Sequence, residues 1–284
     1  MNWIDEGALY SHIGLYLRED LGRGDITTQS IVVRNTRARA RFVAGENMIV
    51  AGLEAAEEVF LTLDSQQQLE AFVSDGEPVE AGKVIARMVG FADVLISAER
   101  VALNLLQKLS GIATLTNKYV NAVEGTGAQI ADTRATTPGL RLLERFAVEL
   151  GGGSNSRFGL DDGVVVTSNH LSILGGAANA VKLAKEKLGY LHKIVAEVSN
   201  ADEAGEAIEA GADAIVIEGL EPEPFAQLAA RARELSQTVT IECAGKITVE
   251  NVRKYAEAGA QLIRVEALTN AAPAADISFR VQLF

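Results

Sequence analysis

The spacing of apolar residues along the chain changes after about the first hundred positions. Residues 37–43, Arg-Ala-Arg-Ala-Arg-Phe-Val, alternate charged and apolar side chains, which is the period of a half-exposed strand. Residues 4–20 and 53–63 carry apolar side chains at helical spacing, and turn residues separate short apolar runs between positions 75 and 83. These patterns predict a mixed α/β unit at the start of the chain.

A long apolar pattern over residues 92–123 predicts one or two helices and contains the expected domain boundary. We divide the chain there into residues 1–110, with residues 275–284 returning to that part, and residues 111–274. Beyond the boundary, short apolar runs alternate with helical stretches, a rhythm typical of βα units around a parallel sheet. The predicted strands are residues 129–131, 164–166, 194–198, 214–217, 239–241 and 262–265. The predicted helices include residues 177–187, 201–210 and 223–235.

An internal repeat favours a barrel over an open sheet. Residues 207–219 read AIEAGADAIVIEG, and residues 255–267 read YAEAGAQLIRVEA. Each copy contains the end of a helix, a glycine, and a strand that leads to a glutamate. Such repetition suits a (β/α) barrel better than a doubly wound sheet. The sequence also lacks a GxGxxG motif after a strand and a P-loop motif, so the usual nucleotide-binding interpretations have no support.

Composition and charge argue against several classes of protein. The 284 residues are 48% hydrophobic and 23% charged, which is enough to fill a sizeable core. The net charge of -12 argues against nucleic acid or an anionic membrane surface as a partner. Because the sequence has neither a spanning apolar stretch nor a signal-peptide pattern, we expect a cytoplasmic protein. A single cysteine, Cys243, excludes a disulfide framework, and we expect it to be a small core residue.

Acidic residues stand at or near the ends of the predicted barrel strands. They are Asp132, Glu197, Glu218, Glu242 and Glu266. The carboxyl ends of barrel strands converge on one rim, where active sites form. Several carboxylates there would repel one another without a cation, and Mg²⁺ held by one or two carboxylates and a substrate phosphate is the natural candidate. A single acid can equally cap the following helix, so the whole set carries this interpretation.

Two arginines frame the same predicted rim. Arg134 follows the first barrel strand, and Arg157 follows the glycine-rich loop at residues 151–153. Guanidinium groups bind carboxylates and phosphates through paired hydrogen bonds, which predicts a small anionic substrate. A solvated surface charge is the alternative for either residue alone. His170 also follows a strand, and both a catalytic and a structural role are open to it.

The motifs resemble those of the quinolinate phosphoribosyltransferase family, the carboxylating nicotinate-nucleotide pyrophosphorylases. Residues 132–144, Asp-Thr-Arg-Ala-Thr-Thr-Pro-Gly-Leu-Arg-Leu-Leu-Glu, are similar to the family's most diagnostic segment. The similarity covers nearly the whole chain. Further matching segments, in the family's order, are residues 19–28, 98–104, 110–114, 151–153, 168–170 and 267–269.

This resemblance implies a fold, a reaction and a set of residues. The fold is an N-terminal α/β sandwich domain followed by an incomplete (β/α) TIM-like barrel, the type II phosphoribosyltransferase architecture, in a homodimer or higher homo-oligomer. The reaction joins quinolinate to phosphoribosyl pyrophosphate with Mg²⁺ and no organic cofactor, and it yields nicotinate mononucleotide, carbon dioxide and pyrophosphate. Glu197 and Glu218 are implied as catalytic residues and Mg²⁺ ligands. The residues implied to bind substrate are Arg100, Thr133, Arg134, Arg141, Arg157, His170, Lys246 and Glu266.

Several positions depart from the family pattern. Ala135 and Thr167 stand where the family has lysine, and Ser156 stands where it has histidine. Glu218 replaces an aspartate and Glu266 a glycine. Two alternatives to quinolinate transfer therefore stay open. One is a diverged paralogue for a less anionic ligand, as in the molybdenum-transport-associated homologues, and the other is a non-catalytic ligand-binding homologue.

Overall fold

The computed structural model describes residues 6–284, apart from the side chains of Glu6, Ala8 and Tyr10, so the first two residues of the helix predicted from residue 4 lie outside it. The helices are α1 (Glu6–Leu21), α2 (Ile26–Ile31), α3 (Leu53–Leu63), α4 (Ala92–Ala122), α5 (Arg141–Leu150), α6 (Ser168–Leu174), α7 (Ala177–Lys187), α8 (Ala201–Glu209), α9 (Pro222–Leu235), α10 (Val252–Glu257) and α11 (Ala267–Asn270). The strands are β1 (Arg37–Ala44), β2 (Met48–Ile49), β3 (Gln68–Ala71), β4 (Pro78–Val79), β5 (Val84–Phe91), β6 (Gln129–Ala131), β7 (Val164–Val166), β8 (Ile194–Val198), β9 (Ala214–Glu218), β10 (Thr240–Ala244), β11 (Leu262–Arg264) and β12 (Ile277–Leu283).

The chain forms two compact units and passes from one to the other four times. The first unit contains residues 1–117, 136–152 and 269–284, and the second contains residues 118–135 and 153–268. These limits differ from a division at residue 110, because α4 runs on as one helix to residue 122. Helix α5 belongs to the first unit, where Lys108 Nζ on α4 lies 3.5 Å from Glu144 Oε1 on α5.

The first unit is built on a four-stranded antiparallel sheet in the order β12-β1-β5-β3. The alternation in β1 buries Ala38, Ala40 and Phe42 and turns the three arginines between residues 37 and 41 to the other face, as the sequence predicts. The ring of Phe42 packs 4.7 Å from that of Phe279 on β12 and 6.2 Å from that of Phe60 on α3. The last strand of the chain thereby completes the sheet and its aromatic core.

The second unit is a parallel sheet of six strands in the order β6-β11-β10-β9-β8-β7. Neighbouring strands in this order are parallel throughout, and helices α7 to α10 connect β7 to β11 along the chain. Within the described residues β6 and β7 do not pair with each other, although Ser154 forms a parallel bridge to Ala131 beside β6. The predicted fold class, an incomplete TIM-like barrel after an α/β domain, is confirmed.

The internal repeat corresponds to two successive turns into barrel strands. Gly211 follows α8 with a φ of +89°, and Gly259 follows α10 with a φ of +104°. Glycine adopts this left-handed conformation without a side-chain penalty, so the chain can turn from α8 into β9 and from α10 into β11. Among the helices of the described residues, none has the length and apolar character needed to cross a bilayer.

Candidate active site

A cavity of about 1090 Å³ occupies the interior of the barrel in the second unit. Successive side chains on a strand point to opposite faces, so every second residue of the barrel strands faces the cavity. In β8 these are Val195 and Glu197, whereas Ile194, Ala196 and Val198 are buried on the other face. The cavity is lined by Thr133, Arg134, Ala135, Asn155, Ser156, Arg157, Asp162, Gly163, Val164, Val165, Thr167, Leu191, His192, Lys193, Val195, Glu197, Val216, Glu218, Gly219, Leu220, Glu221, Glu242, Ala244, Gly245, Lys246, Tyr255, Leu262, Arg264 and Glu266.

Two carboxylates from adjacent strands enter this cavity. Glu197 of β8 and Glu218 of β9 both line it, and Glu197 pairs in register with Val216, two residues before Glu218. Burial raises the pKa of Glu197, and the negative charge of Glu218 raises it further. The Ser168 amide opposes this by donating to Glu197 Oε2 at 3.3 Å. Glu197 therefore holds its negative charge at a cost, which a cation between the two carboxylates would offset.

Three arginine side chains, those of Arg134, Arg157 and Arg264, line the same cavity. Burial lowers the pKa of Arg157, and the positive charges of Arg134 and Arg264 lower it further. Arg157 Nη1 donates to the carbonyl oxygen of Gly163 at 2.7 Å, which fixes its direction. Repulsion between like charges stores energy that an anion bound among them would release. The arrangement is suited to bind a small molecule with more than one anionic group.

A buried ion pair between Glu242 and Arg264 also lines the cavity. Glu242 pairs in register with Leu262, so Arg264, two residues further along β11, lies diagonally across from it. Its Nη2 is 2.5 Å from Glu242 Oε2. Glu242 was expected to close its strand, but β10 continues to Ala244, and Glu242 lies in register with Val216, as Glu197 does, and lines the same cavity.

Close approach of two turns shapes the mouth of the cavity beside β9 and β10. Gly245 has a φ of +135°, and a Cβ there would lie 3.1 Å from the backbone nitrogen of Gly219. Both glycines line the cavity, as do Lys246 and Glu266. Among the described residues no group of three or more His, Cys, Asp or Glu side chains is arranged to hold a metal ion.

Most of the residues singled out from the sequence meet in this cavity. Thr133, Arg134, Arg157, Glu197, Glu218, Lys246 and Glu266 line it, and so do the departing positions Ala135, Ser156 and Thr167. Thr133 Oγ1 accepts a hydrogen bond from the Ala135 amide at 3.1 Å, which stabilises the loop after β6.

The remaining residues from the sequence lie elsewhere. Arg100 on α4 and Arg141 on α5 belong to the first unit, and Arg141 Nε donates to Thr136 Oγ1. His170 is outside the cavity lining, and its Nδ1 accepts a hydrogen bond from the Thr167 amide, which caps α6. Asp132, expected on the rim, is fully buried and accepts from the Ser156 amide at 2.6 Å, so it holds the loop that carries Arg157.

Two family models together match most of the chain. The model for the N-terminal domain of quinolinate phosphoribosyl transferase matches residues 25–110, and the model for its C-terminal domain matches residues 112–280. The chain belongs to the quinolinate phosphoribosyltransferase family. The residues that line the barrel cavity all lie within the part matched by the C-terminal model.

Individual relatives agree with the family models over nearly their full length. The chain is 38% identical over 266 residues to a protein of Synechocystis named probable nicotinate-nucleotide pyrophosphorylase, carboxylating, covering 94% of this chain and 90% of that one. It is 38% identical over 283 residues to the Bacillus subtilis protein of the same name, covering 100% and 96%. The crystal structure of NadC from Streptococcus pyogenes matches with a TM-score of 0.93 at 30% identity, covering 99% of each chain.

Sequence reasoning missed the ion pair between Glu242 and Arg264, although the repeat contains a signal for it. In the two aligned copies of the repeat, Arg264 stands at the position of Val216, a residue that faces the cavity. A charge at a cavity-facing position that its repeat partner fills with valine indicates a role in the cavity. The loop at residues 191–193, which also lines it, carries no comparable signal.

Proposed function

We propose that this chain is a quinolinate phosphoribosyltransferase. It transfers the phosphoribosyl group of phosphoribosyl pyrophosphate to quinolinate and releases pyrophosphate and carbon dioxide to give nicotinate mononucleotide. The observation that carries this proposal is the meeting of Arg134 and Arg157 with the Glu197 and Glu218 carboxylates in one barrel cavity. Membership of the family and the names of the relatives support the same reaction.

Arg134 and Arg157 would bind the acceptor, quinolinate. Quinolinate carries two carboxylates on one ring, and a guanidinium binds a carboxylate through two parallel hydrogen bonds. Arg134 and Arg157 reach the cavity from the loops after β6 and before β7, and Arg157 is held in place by the Gly163 carbonyl. They would orient the ring and neutralise its charge while the phosphoribosyl group approaches, which is mainly electrostatic work.

The two glutamates fit Mg²⁺ in number and chemistry. Oxygen ligands from one or two carboxylates, completed by substrate phosphates, are the usual protein contribution to a Mg²⁺ site. A bound cation would offset the burial and the Glu218 charge that together raise the pKa of Glu197. Bound Mg²⁺ would neutralise charge on the leaving pyrophosphate. Glu197 and Glu218 would hold it and accept hydrogen bonds from the ribose hydroxyls.

One observation favours a second candidate, the diverged paralogue. Ala135, Ser156 and Thr167 all line the cavity, and none carries the charge that the family pattern has there. A charge-assisted hydrogen bond contributes roughly 1.5–3 kcal/mol, so losing several weakens the hold on a dianion. The paralogue would use a ring with fewer carboxylates on the same scaffold.

The deciding experiment follows the carboxyl group. The purified chain is incubated with Mg²⁺, phosphoribosyl pyrophosphate and quinolinate labelled in the carboxylate at ring position 2. Release of labelled carbon dioxide together with one pyrophosphate per nicotinate mononucleotide supports the proposal, and the Arg134→Met variant should lose it. Product without carbon dioxide when nicotinate replaces quinolinate, and none with quinolinate, would support the paralogue instead.

We further propose that the protein works as a homodimer or higher homo-oligomer in the cytoplasm. The resemblance to the family supports the oligomer, and the sequence composition supports the location. Light scattering of the purified chain tests the first point, because a monomeric mass at working concentration would contradict it.

A further inference from the structure

The buried ion pair between Glu242 and Arg264 has no part in the roles assigned above. The side chains of Glu242 and Arg264 are 7% and 16% exposed, and they share the cavity with the apolar side chains of Val195 and Val216. Removing two charges from water is costly, and well-packed apolar residues in place of a buried ion pair are often no less stable. Stability alone therefore does not account for a charged pair at this depth.

Arg264 has donors to spare for a ligand. A guanidinium has five N–H groups, and only its Nη2 side faces Glu242. Within residues 6–284 no acceptor forms a hydrogen bond with Arg264 Nε, which is buried. The side chain also lines the cavity and acts electrostatically on Arg157 and Glu197. Because the side chain keeps 16% of its surface exposed, a carboxylate entering the barrel can contact it.

We propose that Arg264, held in place by Glu242, binds one carboxylate of the acceptor and sets a preference for a ring with two carboxylates over a ring with one. Arg134 and Arg157 bind from the loops after β6 and before β7, and Arg264 binds from β11, so the two carboxylates of the acceptor are bound by different elements of the barrel. Arg264 thereby supplies positive charge in a cavity where Ala135, Ser156 and Thr167 supply none. This inference rests on the proposed function, because the acceptor class comes from it.

Glu242 acts as a positioning residue for this contact. Without it the guanidinium would be free to turn toward Glu197, whose charge it already senses. A carboxylate on the neighbouring strand fixes the long arginine side chain, so less conformational freedom is lost when the ligand binds. The pair thus aims one arginine at the substrate and keeps it from pairing with the groups that would hold the cation.

The test compares two ligands on a variant that removes both charges together. The double variant Arg264→Met with Glu242→Gln avoids leaving a buried charge without its partner. Calorimetric titration measures its affinity for quinolinate and for nicotinate, which carries a single carboxylate. We expect quinolinate affinity to fall by about tenfold or more, as for loss of one charge-assisted contact, and nicotinate affinity to change by less than about twofold.

A matched control makes the same chemical changes at an exposed ion pair. Arg231 Nη1 and Glu234 Oε2 on α9 lie 2.7 Å apart on the surface of the same unit. The double variant Arg231→Met with Glu234→Gln should bind both ligands like the wild-type chain. Should the Arg264→Met, Glu242→Gln variant fail to fold, as judged by circular dichroism, Arg264→Lys replaces it, since lysine keeps the charge but not the paired hydrogen bonds.

The outcomes separate this inference from the proposed function. A wild-type chain that converts quinolinate, combined with an unchanged quinolinate-to-nicotinate affinity ratio in the Arg264→Met, Glu242→Gln variant, overturns the role of Arg264 alone. Equal losses for both ligands overturn it as well, because they indicate general damage to the cavity. A wild-type chain that neither binds nor converts quinolinate overturns the proposed function, and this inference with it.

Discussion

Charged side chains in the barrel cavity repel neighbours of like charge when no ligand is present. The positive charges of Arg134 and Arg264 lower the pKa of Arg157, while Glu218 adds to the rise in the pKa of Glu197 caused by burial. Binding of a charge of opposite sign would offset each of these unfavourable interactions. Substitutions at these positions should therefore separate ligand binding from stability.

Arg134→Met should weaken binding without weakening the fold. We expect quinolinate affinity to fall by about tenfold to a hundredfold, the range for one lost charge-assisted contact. The melting temperature should stay the same or rise, because the variant relieves repulsion on Arg157. Calorimetry and thermal unfolding measure the two effects, with Arg231→Met as the surface control. Unchanged affinity would remove Arg134 from the site.

Glu197→Gln should make stability less dependent on pH. A carboxyl group whose pKa is raised by folding stabilises the protein below its unfolded pKa, and this contribution is lost as the pH rises through its folded pKa. At neutral pH the variant should therefore melt higher than the wild-type chain while losing activity. Thermal unfolding over a series from neutral to acidic pH should show the difference shrink toward acid. A constant difference would contradict this account.

At the scale of helices and strands, local periodicity predicts an element correctly when one face of that element packs against a single core. The alternation of residues 37–43 predicts β1, and helical spacing gives α3 and α7 with their observed bounds. The predicted strands also place Glu197 and Glu218 at one rim of the barrel, and both residues line the same cavity. Periodicity could not place Glu242 or Asp132, because their surroundings depend on long-range pairing between β10 and β11 and between β6 and the loop at residue 154. Local patterns record the face of a strand and not the register of its neighbours.

Substitution by alanine should change the free energy of unfolding in opposite directions at two glycines in different helices. A Cβ on Gly111 in α4 would overlap the backbone carbonyl of Pro273, whereas a Cβ on Gly14 in α1 meets nothing within 4 Å. We expect Gly111→Ala to destabilise the protein by about 1–3 kcal/mol through overpacking. Gly14→Ala should stabilise it by about 0.5–1 kcal/mol through helix propensity. Denaturant unfolding measures both, and effects of the same sign would contradict the packing argument.

At the scale of the whole molecule, the first unit is assembled from three separate stretches of chain. Residues 269–284 return to it after the barrel strands are complete, and β12 pairs with β1 from Ala38–Leu283 to Ala44–Ile277. Without β12, the hydrogen-bonding edge of β1 and the rings of Phe42 and Phe60 would lose their cover. The stability of the N-terminal sheet is therefore set by the C-terminus of the chain.

Two phenylalanines near the C-terminus test this dependence. Phe279 is 9% exposed and packs against Phe42 and Phe60, whereas Phe284 is 73% exposed. Phe279→Ala should cost about 3–5 kcal/mol of unfolding free energy, as for other buried rings. Phe284→Ala should stay within about 0.5 kcal/mol of the wild-type chain. Chemical denaturation compares them, and similar losses would show that β12 contributes little to the core.

The pairing of β12 with β1 also fixes when the protein can finish folding in a cell. Ribosomes synthesise β1 before the barrel strands and β12 after them, so all six barrel strands are made before the first sheet has all its partners. Domains that fold in order from the N-terminus shelter themselves during synthesis, and this one does not. Until β12 has been made, the nascent chain presents a bare strand edge and unburied aromatic rings, which are the features that molecular chaperones bind. The N-terminal sheet can therefore be completed only after the whole barrel has been synthesised.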